Sequence, residues 1–133
     1  MTLGGEHGMV GKLIVVWLLM VALVGVAAID TAAVLFARFR LSDTATVAAS
    51  TGSAALAQGR SPTDVCAAAA ARVEEKTPDA RMPRRSWCEV DTVANEVTIT
   101  LRTQASTLLA GRLPFTEDLT FVTARETVGR SAL

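Results

Sequence analysis

Residues 13–37 read LIVVWLLMVALVGVAAIDTAAVLFA, 25 positions in which Asp30 is the only ionisable side chain. At 1.5 Å of rise per helical residue, about 20 apolar residues cross the hydrocarbon core of a bilayer, so this run is long enough to span one, even with some tilt. The rest of the chain reads as what that segment holds. A rival reading uses the same letters: Lys12 followed by apolar residues resembles the charged start and apolar centre of a signal peptide, with Val26-Ala27-Ala28 as a small-residue cleavage site. The apolar character resumes after Asp30 through Ala32, Ala33, Val34, Leu35 and Phe36, a length that favours a retained anchor over a secreted product cut after Ala28.

Asp30 is the costly residue of the run, because a carboxylate inside a bilayer needs a partner, a proton or access to water. Two placements answer this. Asp30 lies near enough to the interface to be hydrated, or it is an intramembrane contact that pairs with a cation on a neighbouring subunit or an assembly factor.

On the amino-terminal side, residues 1–12 (MTLGGEHGMVGK) hold four glycines and the ionisable side chains Glu6, His7 and Lys12, the composition of a short flexible lead-in. On the other side, residues 38–58 contain no proline and place Ala45, Ala48, Gly52 and Ala55 at offsets of three and four, on one helical face. Such a helix-packing stripe lets another helix approach closely, although the interspersed Ser and Thr residues also suit a face turned to water. The expectation is one helix over residues 12–58, membrane-spanning over 13–37 and projecting beyond it over 38–58, closed by Gly59 in the C-cap position.

A second helix is announced by Ser61-Pro62-Thr63-Asp64, which combines a capping hydroxyl, a proline suited to the first turn and an early acid. It should end by Thr77, ahead of Pro78, with Val65, Ala69 and Val73 as its apolar face. Residues 78–85 (PDARMPRR) form a turn-rich linker whose Arg81, Arg84 and Arg85 suit either a solvated loop or an anionic surface. Beyond it the period becomes two. Cys88 and Val90 mark one strand, residues 91–95 a hairpin loop, and Val97, Ile99 and Leu101 alternate with Thr98, Thr100 and Arg102 in a second. Gly111 and Pro114 break the chain, and residues 117–128 have the Thr, Val and Phe content of a third strand. The fold class is thus α+β, with residues 61–133 forming a small domain on a three-stranded antiparallel sheet.

Cys66 and Cys88 are 22 positions apart. In a small extracytoplasmic domain they read as one disulfide joining the short helix to the first strand; as reduced cysteines they would be small buried hydrophobes. Zinc is disfavoured, since two thiolates do not complete a tetrahedral set and the only histidine, His7, precedes the anchor. Basic residues flank the apolar run on both sides, Lys12 before it and Arg38 and Arg40 after it, so positive charge does not fix the orientation. The cysteine pair points to the carboxy-terminal domain lying outside the cytoplasm.

With 13 basic and 13 acidic residues the net charge is zero, which gives no sign of a nucleic-acid partner. The sequence contains no Gly-x-Ser-x-Gly elbow, phosphate loop or glycine-rich dinucleotide turn. Glu74-Glu75, Glu117-Asp118 and Asp91 read as solvated charges, so neither an enzymatic activity nor a cofactor is expected.

The chain resembles the TadE/TadG-like proteins, minor pilins or pseudopilins of tight-adherence (Flp-type) pili and related secretion systems. The resemblance rests on an amino-terminal membrane helix with Ile29-Asp30 and then Phe36-Ala37-Arg38-Phe39-Arg40, followed by the alanine-rich stretch after Leu41-Ser42-Asp43. It continues in the cysteine pair, in Val97-Thr98-Ile99-Thr100-Leu101, in Ser106-Thr107-Leu108-Leu109 and in residues 119–124. Where members commonly carry a Gly followed by a Glu at the start of the apolar run, Gly11-Lys12-Leu13 stands here, and the proline frequent in the family's membrane helix is missing. The resemblance implies a membrane-held structural subunit that packs with other pilin-like subunits or a pilus assembly platform in a multi-protein assembly. The alternative reading is an envelope-anchored binding module or adhesin, working through its sheet domain.

Overall fold

The computed structural model describes residues 4–83 and 86–129. Helix α1 (Gly4–Ala57) is followed by helix α2 (Pro62–Lys76), strand β1 (Cys88–Asp91), strand β2 (Glu96–Gln104), a 3-10 turn (Glu117–Thr120) and strand β3 (Phe121–Gly129). This is the expected α+β arrangement. The three strands form one antiparallel sheet in the order β1-β2-β3. Among the described residues, one helix, α1, is long and apolar enough to cross a membrane.

Local chemistry sets most of the boundaries. The end of α1 is a Schellman turn: the Arg60 amide donates to the Ala55 carbonyl at 3.3 Å and the Gly59 amide to Leu56 at 3.0 Å, with Gly59 at φ +79°. That left-handed φ is why a glycine stands there. At the start of α2 the Ser61 hydroxyl accepts from the Asp64 amide at 3.3 Å, and Pro62 fills the first turn, where a missing N–H costs nothing. In the β1–β2 hairpin the Asp91 carboxylate accepts the amides of Val93 and Ala94, and Asn95 takes φ +55°.

Three boundaries differ from expectation. α1 begins by Gly4 rather than near Lys12, because glycines at positions 5, 8 and 11 lower helical propensity without removing the backbone donors that extend a helix already formed. The third strand begins at Phe121, since Glu117–Thr120 is wound into a 3-10 turn. The domain also reaches below residue 38 on α1: Asp30 is buried, and Val34, Ala37 and Leu41 pack towards the core.

The core lies where the upper half of α1 is covered by α2 and by one face of the sheet. Its alternating inward residues are Val97, Ile99 and Leu101 of β2 with Val122 and Ala124 of β3, while α2 contributes Val65, Ala69 and Val73. Below Asp30 the helix is bare: between residues 8 and 29 every side chain is exposed except the half-buried Val26. At 1.5 Å per residue this uncovered stretch is about 33 Å long, the thickness of a hydrocarbon core.

Candidate functional site

The residues singled out by the sequence fall into three groups, all on or against α1. Ala45, Ala48, Gly52 and Ala55 form a sealed seam, with the three alanines 0–5 % exposed. A Cβ on Gly52 would meet Val97 Cγ1 at 3.1 Å and Val65 Cγ1 at 3.2 Å, so the absence of a side chain there is what lets α2 and β2 approach the helix axis together. The stripe does let another helix approach closely, as its spacing predicts. The helix that approaches it is the chain's own α2, and the sheet occupies the rest of the face.

Polar contacts flank the seam. The Thr44 and Thr77 hydroxyls meet at 2.6 Å in a buried site, Ser42 donates to Glu126 at 2.7 Å, and Lys76 pairs with Asp43 at 2.9 Å. The Lys76–Asp43 pair is exposed and contributes little. The buried threonine pair satisfies two hydroxyls that the apolar core could not leave alone. Cys66 on α2 and Cys88 on β1 form a disulfide with a Cα–Cα separation of 6.0 Å, which fixes α2 to the outer strand of the sheet. The reduced-cysteine alternative is thereby excluded.

Asp30 is 8 % exposed and closes a clamp at the lower edge of the domain. One carboxylate oxygen accepts the Leu108 amide at 2.6 Å; the other accepts the amides of Leu109 and Ala110, each at 3.0 Å. The next amide, Gly111, donates to the Thr107 hydroxyl at 2.9 Å, and the Arg112 amide returns to the Leu109 carbonyl. Residues 107–112 thus make a single tight turn whose four leading N–H groups need outside acceptors, as at any helix start. Three of them converge on one carboxylate, the geometry in which helix starts bind anions. Within the chain, the partners of Asp30 are amides of its own loop, 78 to 80 residues away in sequence. The only sequence signal for this loop is Thr107 ahead of Leu108-Leu109 with Gly111 following, a weak capping pattern; backbone amides leave no signature of their own.

The basic linker is partly visible. Arg84 and Arg85 lie outside the described residues, as does the side chain of His7. Arg81 bridges Arg102 through both backbone groups, extending the sheet edge beyond β1, and the Arg102 guanidinium lies 4.5 Å over the Phe121 ring. Asp79, Arg81, Arg102 and Gln104 border an open hollow of about 450 Å³, where the Thr103 hydroxyl donates to Asp79 at 3.3 Å. Among the described residues no three His, Cys, Asp or Glu side chains gather as metal ligands. Comparison of the chain with family models, curated proteins and solved structures returned no match.

Proposed function

We propose that the chain is a membrane-anchored structural subunit, a minor pilin or pseudopilin of a tight-adherence-type pilus or related secretion apparatus, as its resemblance to TadE/TadG-like proteins implies. The observation that carries this reading is the construction of α1. One unbroken helix presents about 33 Å of bare apolar surface and then becomes the central element of a disulfide-stapled domain. A protein built this way holds a small domain at a fixed height above a membrane. The domain belongs outside the cytoplasm, where the Cys66–Cys88 bond persists.

Because the small-residue stripe is filled from within, contacts with other subunits fall to the bare helix and to the outer surface of the domain. The function is one of assembly rather than catalysis. Deleting the gene should abolish piliation or secretion, and a tagged copy should co-purify with a filament or an assembly platform. Normal assembly in the deletion strain refutes the proposal. A second reading, an envelope-anchored binding module or adhesin, is favoured by the accessible hollow that Arg81 and Arg102 help to line. Under that reading Arg81→Ala and Arg102→Ala abolish ligand capture while leaving assembly intact.

A further inference from the structure

We infer that the loop of residues 106–116 rests in the membrane interface, giving the domain a second, non-spanning contact with the lipid bilayer that also carries α1. The inference rests on the membrane anchoring of α1 and concerns how the domain sits on that membrane.

The first observation is continuity. Asp30 holds the loop against α1 seven residues, or about 10 Å, before the apolar run ends at Ala37. Leu109 and Leu113 of the loop share a shallow apolar hollow of about 330 Å³ with Leu23, Val26 and Ala27, which belong to the bare stretch of the helix. If those helix positions are in lipid, the loop beside them meets the same lipid.

The second is composition. Between residues 106 and 116 Arg112 is the single charged side chain, and Leu108, Leu109, Leu113 and Phe115 are all exposed, Phe115 to 77 %. On α1 just above the clamp, Leu35 shares a hollow with Ala110 and Leu119, and Phe36 and Phe39 are also exposed, with Arg38 and Arg40 beside them where headgroups would lie. The long stem of Arg112 lets its charge reach the headgroups from such a position.

The third is polar satisfaction. Internal partners for a segment's polar groups lower the cost of moving it out of water into the headgroup and acyl boundary. Three loop amides go to Asp30 and a fourth to Thr107, while the Thr116 hydroxyl donates to the Ala110 carbonyl at 2.7 Å. The clamp thus partners three loop amides with the acid's charge, which accounts for a carboxylate placed in the last third of an apolar run. Glu117-Asp118 follow at once, where the chain returns towards water.

The test uses the full-length protein with Trp17→Phe, in which Trp87 supplies the background, and the same protein carrying Phe115→Trp or Leu113→Trp. Each is reconstituted in phosphatidylcholine vesicles with lipids brominated near the headgroup end of the acyl chain. The new tryptophan should emit to the blue and be quenched roughly twofold or more, as expected within about 5–10 Å of the boundary. Leu113 is 39 % exposed and Phe115 77 %, so a folding defect at one position leaves the other to decide. Flotation of the vesicles is read in parallel. Protein that floats with unquenched, water-like emission overturns the loop contact alone, whereas protein that fails to float overturns the anchor and the loop contact together. Blue emission that ignores brominated lipid but grows with the protein-to-lipid ratio assigns the loop to a second protein copy and refutes the lipid contact.

Discussion

Replacing Gly52 with alanine sets two opposed effects on one methyl group. In an open helix interior alanine is favoured over glycine by about 0.8–1 kcal/mol. At Gly52 the new carbon would lie 3.1 Å from Val97 Cγ1, 3.2 Å from Val65 Cγ1 and 3.7 Å from Val97 Cβ. The two shorter separations fall inside the optimum of about 3.5–4.0 Å between carbon atoms. Neither valine has room to retreat. Both are fully buried, Val97 sits in a central strand paired on both sides, and Val65 belongs to a helix tied by the disulfide to β1.

Overpacking of this kind costs about 1–3 kcal/mol, which exceeds the gain in propensity. The net effect is destabilisation by about 1 kcal/mol, a fall in Tm of about 4–8 °C for a domain of this size. The assay is thermal unfolding of the full-length, oxidised protein in detergent micelles, followed by near-UV circular dichroism. Gly25→Ala is the control, because a Cβ there meets nothing within 4 Å, and it should leave the midpoint unchanged or higher. If Gly52→Ala melts at or above the parent, the seam is not sealed as described. A loss that appears only when the protein associates would equally refute the argument, by placing the stripe between molecules.

Asp30→Ala removes the acceptor of three loop amides, so trypsin should cut after Arg112 about tenfold faster or more while the core unfolds much as before; Asp30→Asn, keeping one acceptor oxygen, should fall between. Equal cleavage of all three proteins refutes the clamp. Replacing Cys66 and Cys88 together by alanine should lower stability on the order of 3 kcal/mol through the 22-residue separation of the bridge, read as a lower denaturant midpoint. In intact cells a membrane-impermeant maleimide should label the two cysteines only after an impermeant reductant is added; labelling that requires lysis instead refutes the extracytoplasmic placement of the domain.

Short-range chemistry was legible in the sequence. Ser61, Pro62 and Pro78 bounded α2, its buried face is the Val65, Ala69 and Val73 expected from their spacing, and the alternation through Val97, Ile99 and Leu101 marked the central strand. The cysteine pair was legible for the same reason, since the options for two thiols in a small domain are few. The occupant of the alanine and glycine stripe was not. A row of small residues states that something comes close without stating what, and the partner here lies within the same chain. The clamp was still less legible: Asp30 announced a need for donors, but those donors are main-chain groups of a loop whose residues carry no polar signal facing it. The Glu117–Thr120 turn was hidden because its Thr, Leu and Asp content is compatible with either a strand start or a turn.

The absence of any break in α1 between Gly4 and Ala57 has a mechanical side. A helix of this length is about 80 Å long, and no proline or loop uncouples its bare apolar part from the part that carries the domain. From Ile29 to Ala57 it rises about 42 Å, so a change of about 20° in the inclination of the anchor swings its far end sideways by about 14 Å. Turning the anchor about its own axis turns the whole domain through the same angle. In the proposed anchored subunit α1 therefore acts as a lever, coupling the inclination of its bare apolar part to the position of the domain.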